Sequence, residues 1–397
     1  MIMEKTIAFF WENYEFGGVS TNLASLINSK KFKKKKIIIF SNKSNKALIR
    51  FKKLIKNPNK IKIITFKNYL DLNTKNKILK LFLLLFRPLI FFFTLFKIFN
   101  LLKRFKIDIF ISQCGGYGDF RSDLGSVIIA KILNFPKIGI VFHHSYSKPI
   151  FWALTSNLIN SFIIYFANRI IFVSKATFKN MSKTIFSKFK KTNIKIINNG
   201  IEINKININY KISNLIEKKF INGIVLARVQ EDKGHEDLIK AFRLLPKDLK
   251  NKIKIYFIGD GNERYIFYLK KLIKEYELNN NFYFIGYIKG NGRDIIKYFD
   301  FLVSPSRYFE GFGLSIVESL SVGTIVVSTK VGGVTDYLNN SNSFLVNPFN
   351  EKQISNALIE ISRNPKQLMN KKANGIQLVK TKLTNNDMGQ NYINFLD

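Results

Sequence analysis

Short runs of β-branched and aromatic residues recur along the whole chain, and stretches of helical period separate them. TIAFFW, KIIIFS, KIITF, IDIFIS, KIGIVF and RIIFVS fall in the first half; GIVLARV, KIYFIG, FYFIG, FLVSPS, TIVVST and SFLVN fall in the second. Runs that are apolar throughout suit strands buried on both faces, and strand–helix alternation is the pattern of a parallel sheet covered by helices. Stretches such as VSTNLASLINSKKF and SDLGSVIIAKILN supply the cover. Between the two sets lies INNGIEINKININYKISNLIEKKF, polar and rich in Asn and Lys, which reads as a linker near residues 200–220. At 397 residues the chain is too long for one typical domain and suits two α/β domains.

Composition narrows the possibilities further. Hydrophobic residues make up 46%, ample for two cores and incompatible with a largely disordered chain. One cysteine, Cys114, can form neither an internal disulfide nor a cysteine-based metal site, which fits a reducing cytosol. The opening MIMEKTIAFFWENYE has only a short apolar run before acidic residues, so it is expected to be a first strand rather than a secretory signal. The net charge of +37 comes mostly from lysine. Abundant Lys, Asn, Ile and Phe are what A+T-rich codons give, so a solvated lysine surface is one reading. Yet basic side chains outnumber acidic ones roughly four to one in the first 150 residues and under two to one afterwards. Such a field attracts anionic lipid headgroups or polyanions. No nucleic-acid partner is expected: there is no zinc-finger spacing or RNP-like segment, and the phenylalanines sit in apolar runs.

The segment FEGFGLSIVESLSVG, Phe309 to Gly323, follows the run FLVSPS and leads into a helix. Glu310 and Glu318 bracket a turn containing Gly311 and Gly313. A helix starting near Leu314 places Glu318 one turn in, on the face of Leu314. Unpaired N–H groups of a first helical turn suit a phosphate. A carboxylate there would repel phosphate and is better suited to accept hydrogen bonds from sugar hydroxyls. The pattern reads as a pocket for a sugar attached to a phosphate.

A glutamate, a GFG turn and a second glutamate eight positions on resemble the E-x7-E motif of family 4 retaining glycosyltransferases. Other segments are similar to that family. ARVQEDKGHEDLIKAF looks like its Gly-Arg…Lys-Gly motif, with Ala227 for the usual glycine and both cations, Arg228 and Lys233, kept. Gly17 and Gly18 follow the first strand, His143 and His144 follow KIGIVF, and Asn199-Gly200 resembles the turn closing the family's first domain. The resemblance is close over the second half and looser over the first.

It implies an α/β chain of two Rossmann-like domains facing each other across a cleft (GT-B), with a C-terminal helix crossing back to the first domain. The corresponding boundaries are an acceptor-side domain over 1–205, a nucleotide-sugar domain over 206–380 and the returning helix over 381–397. The implied activity is transfer of a sugar, with retention, from a nucleotide-diphosphate sugar to an acceptor hydroxyl, saccharide or lipid-linked. The implied setting is surface polysaccharide or lipopolysaccharide synthesis, on the cytoplasmic face of the membrane. Glu318 would hold the ribose and Glu310 the sugar hydroxyls. Arg228, Lys233 and the backbone of Gly311, Phe312, Gly313 and Leu314 would take the diphosphate charge, with no metal and no cofactor. Gly17 and Gly18 would approach the ligand, and one of His143 and His144 would face the cleft; both assignments stay open. A nucleotide-sugar epimerase on the same fold, or a non-enzymatic basic protein bound to membrane or nucleic acid, are the alternatives.

ILKLFLLLFRPLIFFFTLFKIFNLLKRFK, Ile78 to Lys106, is long enough to span a bilayer. In the resembling fold the strands on either side belong to one sheet, which excludes a single span. Pro88 is expected to break the segment into two helices, partly packed on the sheet and partly exposed, whose apolar aromatics dip into a membrane interface while Lys97, Lys103, Arg104 and Lys106 meet anionic headgroups; a purely buried helix pair is the alternative.

Overall fold

The computed structural model describes residues 5–12, 17–68, 77–115, 120–145, 163–182, 193–203 and 205–396. The chain divides into two compact units, Met1–Glu202 with Asn385–Asp397, and Ile203–Thr384.

The first unit is built on seven parallel strands in the order β3-β2-β1-β4-β5-β6-β7. They are β1 (Thr6–Trp11), β2 (Lys36–Asn42), β3 (Ile61–Phe66), β4 (Ile109–Cys114), β5 (Lys137–Phe142), β6 (Arg169–Phe172) and β7 (Ile194–Ile196). The intervening helices are α1 (Gly18–Ile27), α2 (Leu48–Leu54), α3 (Lys77–Leu85), α4 (Arg87–Leu102), α5 (Ser122–Ile132) and α6 (Lys175–Ser182). Successive strand side chains point to opposite faces, and both faces are dry. Phe10, Phe40, Phe110, Ile140 and Phe172 pack with Phe91, Leu95 and Ile98 of α4 and Leu124 and Val127 of α5. α4 lies close on α5 because residue 125 is glycine: a Cβ there would meet Leu95 Cδ2 at 2.5 Å.

The second unit has six parallel strands in the order β10-β9-β8-β11-β12-β13. These are β8 (Ile221–Leu226), β9 (Ile253–Ile258), β10 (Phe282–Gly286), β11 (Phe301–Ser304), β12 (Ile325–Thr329) and β13 (Phe344–Val346). The longer helices are α7 (His235–Arg243), α8 (Glu263–Glu275), α9 (Gly292–Ile296), α10 (Leu314–Ser321), α11 (Glu351–Arg363) and α12 (Pro365–Lys382). Leu238, Phe242, Leu269, Ile354 and Leu358 of α7, α8 and α11 share one core with Val225, Phe257, Val303 and Val327 of the strands.

The last helix, α13 (Asn385–Leu396), belongs to the first unit. Its Tyr392 ring lies 6.4 Å from Phe32, and Gly389 comes close enough that a Cβ would sit 2.2 Å from Ser29 Oγ. Asn385 fixes its start, donating from N to Ile201 O (2.8 Å) and from Nδ2 to Ser25 O (3.1 Å).

α3 and α4 replace the single apolar stretch, and the break between them falls at Phe86, just before Arg87 and Pro88. Among the described residues no helix is long and apolar enough to cross a membrane.

Candidate functional site

The residues singled out in the second half gather at the carboxyl end of its sheet. β8 ends just before Arg228, whose side chain is exposed. A single turn, Glu231–Lys233, then leads into Gly234, held left-handed at φ 69°. Only glycine fits there, since a Cβ would lie 1.9 Å from Pro305 O. This close approach brings the turn onto the end of β11 and sets Lys233 Nζ 2.7 Å from Glu310 Oε2. Ser306 Oγ donates to the same oxygen at 3.3 Å. The Glu310 backbone is fixed in turn by Gly333 N, which donates to its carbonyl at 2.7 Å.

Helix α10 begins after Gly313, left-handed at φ 80°. Tyr337 Oη donates to Phe312 O (2.6 Å) and Gly313 O (3.3 Å), with the Phe312 and Tyr337 rings 4.9 Å apart. Burial pushes the Tyr337 hydroxyl well above its usual range, so it stays a neutral donor. Ile316 N and Val317 N turn back to Gly313 O, while the amides of Leu314 and Ser315 make no backbone hydrogen bond among the described residues. Those two N–H groups, with the helix dipole behind them, can receive an anion.

Glu318 sits one turn into α10, against the start of α9. A Cβ on Gly292 would lie 2.0 Å from Glu318 Oε2, so glycine lets the carboxyl reach the backbone. Burial raises the carboxyl to about 7, against the pull of Arg293; Asp294 adds to the rise. Arg293 is itself buried and donates from Nε to Ser321 Oγ at 2.9 Å. Sequence reasoning missed Gly292, Arg293 and Tyr337, because no motif marks them and only the packing of α9 and of the turn after β12 brings them here.

The Gly-Asp-Gly loop after β9 is a structural device. Gly259, at φ 150°, approaches Ala227 O so closely that a Cβ would lie 2.1 Å away, and Asn262 caps α8 through Tyr265 N at 3.2 Å. A cavity of about 770 Å³ opens beside it, with Asp232, Asn262, Arg307 and Tyr308 in its wall. Arg307 is bound there to Asp237 (2.5 and 2.9 Å) and Glu236 (2.9 Å).

In the first unit the candidate residues also lie past the carboxyl ends of strands. Gly17 precedes α1 in extended conformation, with nothing within 4 Å of where a Cβ would stand, and Gly18 opens the helix. Local backbone therefore does not demand glycine at 17. His143 is buried, its Nε2 2.7 Å from Gln113 Oε1, and burial lowers it to about 3, so the ring is neutral. His144 is exposed. Asn199-Gly200 is tied into the scaffold, with Gly200 O accepting from Ser25 Oγ at 2.7 Å.

A second polar group was not foreseen. Glu12, just past β1, accepts from Ser122 Oγ and from Asn68 Nδ2 (2.9 and 3.1 Å). Burial raises Glu12 to about 7, although these hydrogen bonds oppose the rise. Arg121 pairs with Asp123 beside it (Nη2–Oδ2 2.5 Å, Nε–Oδ1 3.0 Å).

Comparison with known proteins bears on this geometry. Residues 207–378 match the family described as glycosyl transferases group 1. The chain is 32% identical over 203 residues to an uncharacterized glycosyltransferase, MJ1069, of Methanocaldococcus jannaschii, covering 50% of each. It is 28% identical over 177 residues to the capsular polysaccharide biosynthesis glycosyltransferase CapH of Staphylococcus aureus, covering 44% of this chain and 46% of CapH. The chain thus matches about half the length of these curated relatives. The crystal structure of Anabaena Alr3699/HepE in complex with UDP-glucose superposes with a TM-score of 0.75 at 18% identity, over 98% of this chain and 99% of that one. The fold is that of the GT-B glycosyltransferases: two Rossmann-like domains with parallel sheets of seven and six strands.

Proposed function

We propose, from the match of residues 207–378 to the family described as glycosyl transferases group 1, that this chain moves a sugar from a nucleotide-diphosphate sugar to an acceptor hydroxyl. The observation that carries the reading is the Lys233–Glu310 pair at the head of α10, with Glu318 half-buried one turn further on. The free amides of Leu314 and Ser315 receive the diphosphate. Lys233 has three N–H donors, so it can keep Glu310 and still take a phosphate oxygen. As the sugar–phosphate bond breaks, charge grows on the departing diphosphate, and Lys233, Arg228 and the helix terminus stabilise it without a metal ion. Glu310 accepts from the donor sugar's hydroxyls, and Glu318, once ionised, accepts from the ribose. Retention of configuration is proposed with this reading, on the E-x7-E spacing of Glu310 and Glu318.

The acceptor side belongs to the first unit, where exposed His144 is the histidine placed to meet a ligand, while buried His143 is held on Gln113. Gly17, free of any conformational demand, leaves room for the acceptor or donor sugar. We place the reaction in the synthesis of a surface polysaccharide or lipopolysaccharide, at the cytoplasmic face of the membrane, with a saccharide or lipid-linked acceptor. Because HepE of the same fold was crystallised with UDP-glucose, that donor heads the panel. The test is thermal shift with nucleotide-diphosphate sugars: a ligand at 100 times its dissociation constant adds about 2.7 kcal/mol to the native state. No shift with any donor of the panel, or shifts unchanged in Glu318→Ala and Lys233→Ala, would overturn the assignment.

A further inference from the structure

α3 and α4 meet at Phe86, and although Pro88 gives no N–H, hydrogen bonds tie the two helices across the join: Phe86 N bonds Phe82 O, and Ile90 N bonds Phe86 O, both at 3.0 Å. The two helices therefore share one outer stripe. In α3, Ile78, Leu81, Phe82 and Leu85 follow i, i+3, i+4, i+7 spacing, and in α4 Leu89, Phe92, Phe93 and Phe96 repeat it. These eight side chains are between 51% and 81% exposed. The opposite stripe of α4, Phe91, Leu95, Ile98 and Leu102, is fully committed to the core. A helix apolar on both sides but covered on one leaves a surface ~27 Å long that water does not favour.

Charge decides what covers it. Lys97 stands over Phe93, its Nζ 4.8 Å from the ring centroid, and Lys103, Arg104 and Lys106 are exposed where α4 ends. That end lies at the amino-terminal edge of the sheet, where exposed Lys33 and Lys34 precede β2, Lys36 opens it and Lys60 precedes β3. A second copy docked symmetrically on the stripe would bring the same lysines and a net charge of +37 against +37. An anionic lipid surface brings the opposite charge.

We propose that the helix pair α3–α4 lies in the plane of an anionic bilayer, with its Phe and Leu stripe at the acyl boundary and its lysines and arginine on the headgroups. Lys97 can lay its stem along Phe93 while its ammonium stays among the phosphates. The proposal rests on the glycosyl-transfer reading only for its purpose, delivery of a lipid-linked acceptor; the binding itself does not depend on it.

The test is flotation of the full chain with phosphatidylglycerol-containing and pure phosphatidylcholine vesicles, at ionic strengths of about 0.05 and 0.5 M. The native chain is expected to float with the anionic vesicles and to be released by salt. Phe82→Glu with Phe93→Glu should lower partitioning about tenfold or more, and Lys103→Glu with Arg104→Glu should abolish most of the salt-sensitive part. Both replacements are at exposed positions, so thermal midpoints and any UDP-glucose shift should match the native chain, which separates failure here from failure of the catalytic reading. Absence of flotation at low salt would overturn the proposal, as would equal flotation of the Phe variant. So would a native dimer that the Phe variant breaks without any vesicle binding.

Discussion

Replacing Glu318 by glutamine is expected to stabilise the protein, and increasingly so as the pH rises. Burial raises this carboxyl from 4.5 to about 7, while Arg293 alone pulls the other way. The sign follows from proton counts. Below about pH 4.5 the group is protonated in both folded and unfolded chains, and no penalty exists. Between there and about 7 the unfolded chain releases the proton and the folded chain retains it, so native stability falls as pH rises. Above that range the folded chain carries a charge that its surroundings disfavour. A displacement of roughly 2.5 pH units at about 1.36 kcal/mol each sets a ceiling near 3 kcal/mol. Part of the side chain remains accessible, so about 2 kcal/mol is the working figure. Glutamine keeps the shape and never ionises. Urea denaturation of both proteins at pH 4.5 and pH 8 should show the variant gaining that amount across the interval. An unchanged difference, or one that favours the native chain at high pH, would mean that Arg293 outweighs burial and that the carboxyl is ionised throughout. The same titration has a functional face: affinity of the native chain for a nucleoside diphosphate should improve through pH 7, while the variant follows only the nucleotide's own ionisation.

Lys233→Ala should lower turnover by about 10²–10³-fold, the effect of losing one charge-stabilising contact in a largely buried site, and Arg228→Ala, at an exposed position, should lower it less; near-native kinetics in both would remove their catalytic assignment. Gly234→Ala should cost about 1–3 kcal/mol or more in urea denaturation, because it forces a left-handed alanine into Pro305 O. Gly17→Ala should leave stability within about 0.5 kcal/mol, since its site is open and extended, and any loss of ligand affinity there then reports direct contact. Tyr337→Phe removes the donor to Phe312 O and Gly313 O and should cost about 1–3 kcal/mol, with a lower affinity for the nucleotide as the turn before α10 loosens.

The alternation of strand and helix was legible because parallel strands buried on both faces must be apolar at every position, which stands out from amphipathic helices. FYFIG and KIGIVF became β10 and β5 without a shift of boundary. β7 was not legible: Ile-Lys-Ile gives three residues and an interrupted apolar run, and it exists because β6 offers it an edge. The break at Pro88 was readable from the missing proline N–H, and so was a segment partly packed and partly exposed, but which side chains would fall on the outer stripe was not. Phe91 and Phe92 are adjacent and chemically identical, yet one is wholly buried and the other 58% exposed. Hydropathy averages over that difference; the helix's rotation against α5, set where Gly125 lets Phe91 and Leu95 in, decides it.

The candidate site divides along similar lines. Glu310, Glu318, Arg228 and Lys233 were found because each lies in a local pattern of glycine and charge. What they do to one another was hidden, since Lys233 and Glu310 are 77 positions apart and meet only through Gly234 against Pro305. Glu12, Asn68 and Ser122 show the more general case. None belongs to a motif, and each merely follows a strand or opens a helix. The strand order β3-β2-β1-β4 makes β1 and β4 neighbours, although β2 and β3 come between them in sequence. Where the order reverses, the loops after the two adjacent strands turn apart and leave a crevice. Glu12 follows one of those strands and Ser122 opens the helix after the other, which is why a carboxyl and a hydroxyl 110 positions apart are hydrogen-bonded. A polar residue immediately past an apolar run is weak information singly. It becomes strong once topology shows which two runs lie side by side across the reversal.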